Sequence, residues 1–112
     1  MSLRTLTSRG DIDTLFRHGR RSSSRLLVIL ASPTPGSGDP RGRVVFIAGK
    51  KLGGAVVRNR CKRVMREMVR RAAGPWPGRD VAVIARPGTR SASPAELDGD
   101  LQAGLRGAGV VS

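Results

Sequence analysis

The window from Gly54 to Ala73 constrains the fold more than any other stretch. Its apolar residues recur at helical spacing, while the apolar runs on either side have the length and content of strands. At ~100° per residue, Val57, Cys61, Val64, Met65, Met68, Val69 and Ala72 fall within one arc of roughly 140°, the width of a face that packs against a core. The flanking runs are Val44–Ala48 (VVFIA) and Val81–Ala85 (VAVIA), short and rich in β-branched residues. A strand, a long helix and a second strand in succession predict an α/β protein in which the helix lies across a sheet.

Punctuation places the remaining elements. Ser8, then Asp11, then Ile12, Leu15 and Phe16 at helical spacing before Gly19 predict a short helix from about 9 to 18, capped at both ends. Arg25–Ala31 (RLLVILA) is a third apolar run, and the SPTPGSGDPRG that follows is too rich in Pro and Gly to be regular. The central helix stops at Gly74, Pro75, Trp76, Pro77 and Gly78. A last helix opens on Ser93 as cap, Pro94 at its first position and Glu96 three residues after the cap. Leu97, Leu101 and Leu105 share one of its faces, although Gly99 and Gly104 weaken it. The expected order is α, β, β, α, β, α in a single domain spanning 1–112, with the loop 32–43 and the tail 107–112 mobile.

Charge then singles out the outer side of the central helix. Nine of the 21 Lys and Arg residues lie between Lys50 and Arg71, a window with one acid, Glu67. Arg58, Lys62, Arg66 and Arg70 follow at four-residue steps, with Asn59 and Arg63 beside them. Glu67 falls across the helix near Arg60, Arg63 and Arg71, which leaves the ridge from Arg58 to Arg70 uncompensated. Like charges at that spacing cost a few tenths of a kcal/mol per pair, roughly the inverse of an ion-pair gain. A polyanion on the face removes the cost, and the chain's net charge of +13 on 112 residues points the same way. Residues 91–112 carry one basic and three acidic side chains, so the surplus belongs to the rest of the chain. Nucleic acid leads the list of partners, against the alternative of a basic face that is simply solvated. Arginine suits the first reading, because its planar fork holds a phosphate and stacks on an unpaired base. Asn59 adds a donor and acceptor for a 2′-hydroxyl or a base edge. Lys50, Lys51 and the Gly53–Gly54 turn approach the helix start, where backbone N–H groups meet anions. The P-loop order is absent, so nucleotide hydrolysis gains no support.

Little else carries chemistry. His18 beside Gly19 reads as a helix-end or surface residue, Asp11 and Asp13 face different sides of a helix, and Cys61 belongs to the apolar stripe. Trp76 reads as an anchor of the linker. One cysteine excludes an internal disulfide, no apolar run nears the ~18 residues of a membrane span, and the first residues show no signal segment. A cytoplasmic protein without a membrane partner is expected. A DNA-binding protein is disfavoured by strands flanking the helix where a helix-turn-helix pair is needed. A protein nuclease lacks its cluster of carboxylates and histidine. A plain ribosomal-type RNA-binding protein stays open.

Three segments resemble one family. The run KKLGGAVVRNRCKRVMRE, Lys50 to Glu67, is similar to the signature of bacterial ribonuclease P proteins, with Arg58, Asn59 and Arg60 as its Arg-Asn-Arg triplet. LTSRGDIDTLFRHGRR, Leu6 to Arg21, resembles the family's opening helix, and VAVIARPG, Val81 to Gly88, its last strand. The resemblance implies an α/β sandwich whose basic helix makes a left-handed βαβ crossover, as in the second domain of ribosomal protein S5. It implies a ribonucleoprotein endoribonuclease that removes the 5′ leader of precursor tRNA. In that family the catalytic RNA subunit carries the chemistry and needs magnesium, while the protein has no catalytic residue, bound cofactor, metal or small-molecule substrate. Carried over by position, Lys50, Lys51, Arg58, Asn59, Arg60, Lys62, Arg63 and Arg66 face the catalytic RNA. Phe16, with Arg17 and Ile12, lines a cleft for the leader between the first helix and the sheet. Ile12 stands where the family commonly has an aromatic, and the chain has no Tyr, so Phe46 is assigned to the cleft as a substitute and leader contact is expected to lean on arginine and phosphate.

Overall fold

The computed structural model describes residues 9–34 and 42–111. Its helices are α1 (Arg9–His18), α2 (Ala55–Arg71) and α3 (Pro94–Gly107). Its strands are β1 (Arg20–Ser23), β2 (Leu27–Pro33), β3 (Arg43–Ile47) and β4 (Arg79–Ala85), and single 3-10 turns occupy Lys50–Leu52 and Pro87–Arg90. The strands form one sheet in the order β1-β2-β4-β3. β2 runs antiparallel to both β1 and β4, and β3 runs parallel to β4. A parallel pair needs a long crossover, and α2 supplies it.

The observed order is α, β, β, β, α, β, α, one strand more than expected. The addition is β1, whose RRSS sequence has no apolar residue. As the edge partner of β2 alone it needs none, and three of its four residues are exposed. Strand pairing also outruns the apolar runs. Ser32, Pro33 and Arg43, expected in a mobile loop, pair with Asp80, Arg79 and Asp80 in the sheet. Residues 35–41 of that loop, and Ser8 as the expected cap of α1, lie outside the described residues. In the tail expected to be mobile, Ala108 is buried, the Val110 N–H donates to the Leu105 carbonyl, and Val110 and Val111 pack on the core.

The register sorts the sheet into two faces. Leu27, Ile29, Ala31, Val44, Phe46, Val81, Val83 and Ala85 turn toward α2 and α3 and form the main core with Met65, Met68, Val69, Leu97, Leu101 and Leu105. Leu30 and Ala82 turn the other way and are covered by Leu15 of α1, which is fully buried. Of the stripe expected on α2, Cys61, Met65, Met68 and Val69 are buried. Val57 stays 36% exposed and Val64 half-buried, because both face a cavity beside the Pro87–Arg90 turn. Trp76 is buried in the main core, where it anchors the linker.

α3 is capped as its sequence requires: the Ser93 hydroxyl accepts from the Glu96 N–H, and the Glu96 carboxylate accepts from the Ser93 N–H. Gly104 has a packing reason for its place. A Cβ there would lie 2.6 Å from the Ile29 side chain, so the missing methyl lets α3 approach β2. Asp100 completes the attachment by accepting from the Ser24 hydroxyl and from the N–H groups of Leu26 and Leu27.

Candidate nucleic-acid interface

Helical geometry splits the basic residues of α2 between two flanks. With Met65 pointing inward, Arg58 lies ~20°, Lys62 ~60°, Arg66 ~100° and Asn59 ~120° around one side. Val57 and Val64 lie ~80° and ~100° and Arg60 ~140° around the other, while Arg63 points outward. The first flank overlooks β3, where the Arg66 guanidinium sits 5.6 Å from the ring centroid of Phe46. The second overlooks the Pro87–Arg90 turn, and Arg60 lines the cavity there with Val57, Val64, Ala92 and Arg90. The Arg-Asn-Arg triplet is therefore divided: Arg58 and Asn59 belong to one flank and Arg60 to the other. Arg58 is half-buried, and its Nε is enclosed without a hydrogen-bond partner.

Lys50 and Lys51 are exposed on the 3-10 turn that enters α2. Buried Leu52 holds this turn in place, and its carbonyl accepts from Arg90 Nη1 at 3.2 Å.

The ion pairs differ from expectation. Glu67 pairs with Arg70 at 2.8 Å, one turn along its own helix, and not with Arg60, Arg63 or Arg71. Arg71 is taken instead by Asp98 of α3 at 2.7 Å, a partner only the packing of α3 beside α2 supplies. The uncompensated ridge is thus shorter by Arg70. Among the described residues no acid pairs with Arg58, Arg60, Lys62, Arg63 or Arg66.

The opposite face of the sheet carries α1. Ile12 of α1, Val45 and Ile84 pack half-buried at the margin of the Leu15 cluster, and Ile47, paired with Ile84, shares their face. Phe16, one turn after Ile12 on the same side of α1, is 48% exposed. These residues make a partly exposed apolar surface beside α1. Phe46 is not among them. Alternation sends Val45 and Ile47 toward α1 and Phe46 toward α2, where it is buried under Arg66. In VVFI both parities are apolar, so the pattern alone could not assign the faces. Arg17 lies ~200° around α1 from Leu15, on the outer surface. Arg21 of β1, opposite Leu30 in the register, is an exposed cation on the α1 side of the sheet that the sequence did not single out.

One polar tie fixes α1 to this face. Arg43 on β3 donates to Asp80 through Nη2 at 2.8 Å and Nε at 3.1 Å, and through Nη1 to Asp11 of α1 at 3.0 Å. Asp80 is 1% exposed, and its charge is tolerable in that position because the fork of Arg43 and the Thr34 hydroxyl satisfy it. The hydrogen bonds to Asp80 and Asp11 hold the Arg43 guanidinium above its ordinary pKa against the opposing effect of burial. The sequence showed Asp11 as part of the start of α1 and as a poor metal ligand, not as a tie to β3. Among the described residues no group of three or more His, Cys, Asp and Glu is placed to hold a metal, and no helix is long and apolar enough to cross a membrane.

A family model described as Ribonuclease P matches residues 2–109. The ribonuclease P protein component of Streptomyces avermitilis is 42% identical over 108 residues, covering 90% of this chain and 88% of that one. That of Gluconacetobacter diazotrophicus is 42% identical over 107 residues, covering 94% and 90%. The fold matches that of the Staphylococcus aureus RNase P protein with a TM-score of 0.82 at 23% identity, over 99% of this chain and all of that one. The Thermotoga maritima RNase P protein superposes with a TM-score of 0.74 at 26% identity, over 89% and 93%.

Proposed function

The chain belongs to the ribonuclease P protein family, and from that premise we propose that it grips two RNAs on opposite faces of one sheet. It is the protein component of the ribonucleoprotein that removes 5′ leaders from precursor tRNA, with the chemistry carried by the RNA subunit. The catalytic RNA lies along α2, on Lys50, Lys51, Arg58, Asn59, Lys62 and Arg66 on one side and on Arg60 and Arg63 on the other. The leader lies beside α1, its bases against Phe16 and Ile12 above Val45, Ile47 and Ile84, with Arg21 near its phosphates. The observation that carries this division is the register of β3, which turns Val45 and Ile47 to one face and Phe46 to the other.

The left-handed sense of the crossover through α2, and the likeness to the ribosomal protein domain, enter here as family properties. Magnesium is assigned to the RNA subunit, likewise as a family property. The cytoplasm is the compartment where both RNAs meet the protein. A ribosomal-type binding protein is not favoured, since the curated relatives that span nine-tenths of the chain carry the ribonuclease P name.

The direct test combines the purified chain with a bacterial ribonuclease P RNA and precursor tRNA at low magnesium. Leader removal is expected to exceed that of the RNA alone, and no gain would contradict the assignment. Leader-dependent affinity is expected to weaken as salt rises, because each phosphate contact releases counterions.

A further inference from the structure

Among the described residues, two of the three large apolar side chains left exposed, Val56 and Val57, sit in the first turn of α2, away from α1. Val57 forms one wall of a cavity of about 210 Å3, together with Cys61, Val64 and Ala92. Both charged residues that line it are arginines, Arg60 and Arg90, and no acid does. Its outer wall is fixed in advance. The Thr89 hydroxyl donates to the Leu26 carbonyl at 2.8 Å, and Arg90 is held by Nη1 to the Leu52 carbonyl and by Nε to the Pro87 carbonyl at 3.3 Å. Those bonds leave Arg90 Nη2 with its donors uncommitted among the described residues. Arg60 has no acidic partner there.

Apolar walls under a pair of guanidinium groups match one kind of occupant. An acidic peptide has charge for the arginines but seldom a flat ring for the cavity. A duplex has phosphates but keeps its bases stacked. An unpaired nucleotide has both, a planar ring to lie against valine and alanine and a phosphate on either side of it. The volume is also below the ~300 Å3 at which drug-sized pockets begin.

We propose that this cavity, between α2 and the Pro87–Arg90 turn, receives one extruded base of the catalytic RNA, with Arg60 and Arg90 on the phosphates that flank it. This rests on the reading of α2 as the catalytic-RNA face and adds a contact that recognises an unpaired base at one point on the RNA. It also explains why Arg60 stands apart from Arg58 and Asn59 in the triplet: the helix presents two contacts, a phosphate-tracking flank and a base-receiving one.

Three variants test it. Ala92→Leu fills the cavity without changing charge, Val57→Ser removes an apolar wall at a position already in contact with water, and Arg90→Ala removes one phosphate partner. Each is titrated against a bacterial ribonuclease P RNA at several salt concentrations. The RNA bases are probed with a base-directed modifying reagent with and without protein, and circular dichroism checks the fold. Ala92→Leu and Val57→Ser are expected to lose about tenfold in affinity with an unchanged salt slope, and to lose the protection that the wild-type chain gives one unpaired base. Arg90→Ala is expected to flatten the slope of log affinity against log salt by about 0.7 to 0.9. If Ala92→Leu does not fold, Val57→Ser decides alone. Wild-type affinity and an unchanged protection pattern in the folded cavity variants would overturn the inference, as would a loss of affinity with every protection intact. Arg58→Ala separates the two readings. If it weakens binding while the cavity variants do not, the catalytic-RNA face stands and the base pocket falls. A wild-type chain that fails to bind the RNA removes both.

Discussion

α1 and α2 lie on opposite faces of the same sheet and are attached to it in different ways. α2 buries Cys61, Met65, Met68 and Val69 in the main core, so its outer residues ride on a helix that cannot shift without opening that core. α1 buries only Leu15 fully, with Ile12 half-buried beside it, and is tied to the sheet through Asp11 and Arg43. The difference matches what each face is proposed to bind. Positive charges that track a structured RNA gain from a rigid scaffold, because fixed geometry saves ordering entropy on binding. A cleft for single-stranded leaders of varied sequence needs apolar surface for any base and one wall free to adjust.

The comparison breaks most visibly at Phe46. Phe46→Ala is expected to destabilise the fold by about 3–5 kcal/mol, the usual result of truncating a buried phenylalanine. It should also weaken catalytic-RNA binding by freeing Arg66, while leader affinity of the remaining folded protein is unchanged. Chemical denaturation and leader titration read the two effects, and a leader-specific loss would return Phe46 to the cleft. Arg43→Ala comes next, at about 3 kcal/mol, because it removes the guanidinium that pairs with buried Asp80. Its accompanying loss should fall on the leader, since α1 is released while α2 is not. Phe16→Ala is smaller, about 1–3 kcal/mol of leader affinity from lost stacking, with thermal stability close to wild type because the ring is half-exposed already.

The smallest effect concerns Glu96, at the start of α3. Its carboxylate accepts from the Ser93 N–H and meets the Arg25 guanidinium at 2.8 Å, which holds its pKa below the ordinary 4.5. A depressed folded-state pKa means stability that is complete above the unfolded value and is lost as pH falls through the folded one. Glu96→Gln is therefore expected to flatten the acid side of the stability profile and to leave both RNA affinities unchanged at neutral pH.

Much of this architecture was legible in the sequence where burial enforced a period. The stripe from Cys61 to Val69 and the leucines of α3 are spaced for one face and are buried on it. β1 was not legible, because an edge strand of two arginines and two serines announces nothing by hydrophobicity. Phe46 was misassigned for the opposite reason: a strand apolar on both faces has no parity to read. Arg71 was misjudged because its partner, Asp98, lies 27 residues away, a contact that exists only once α3 packs beside α2. Gly104 looked like a weakness in a helix and proved to be the point of contact with Ile29.

The central claim is that the two RNA surfaces are separate, and a double-mutant cycle on Lys62→Ala and Phe16→Ala tests it most directly, with catalytic-RNA and leader affinities measured for all four proteins. Lys62→Ala is expected to lower only the first affinity and Phe16→Ala only the second, with effects additive within about 0.5 kcal/mol. Substitutions that each lower both affinities, or a coupling well beyond that limit, would contradict it.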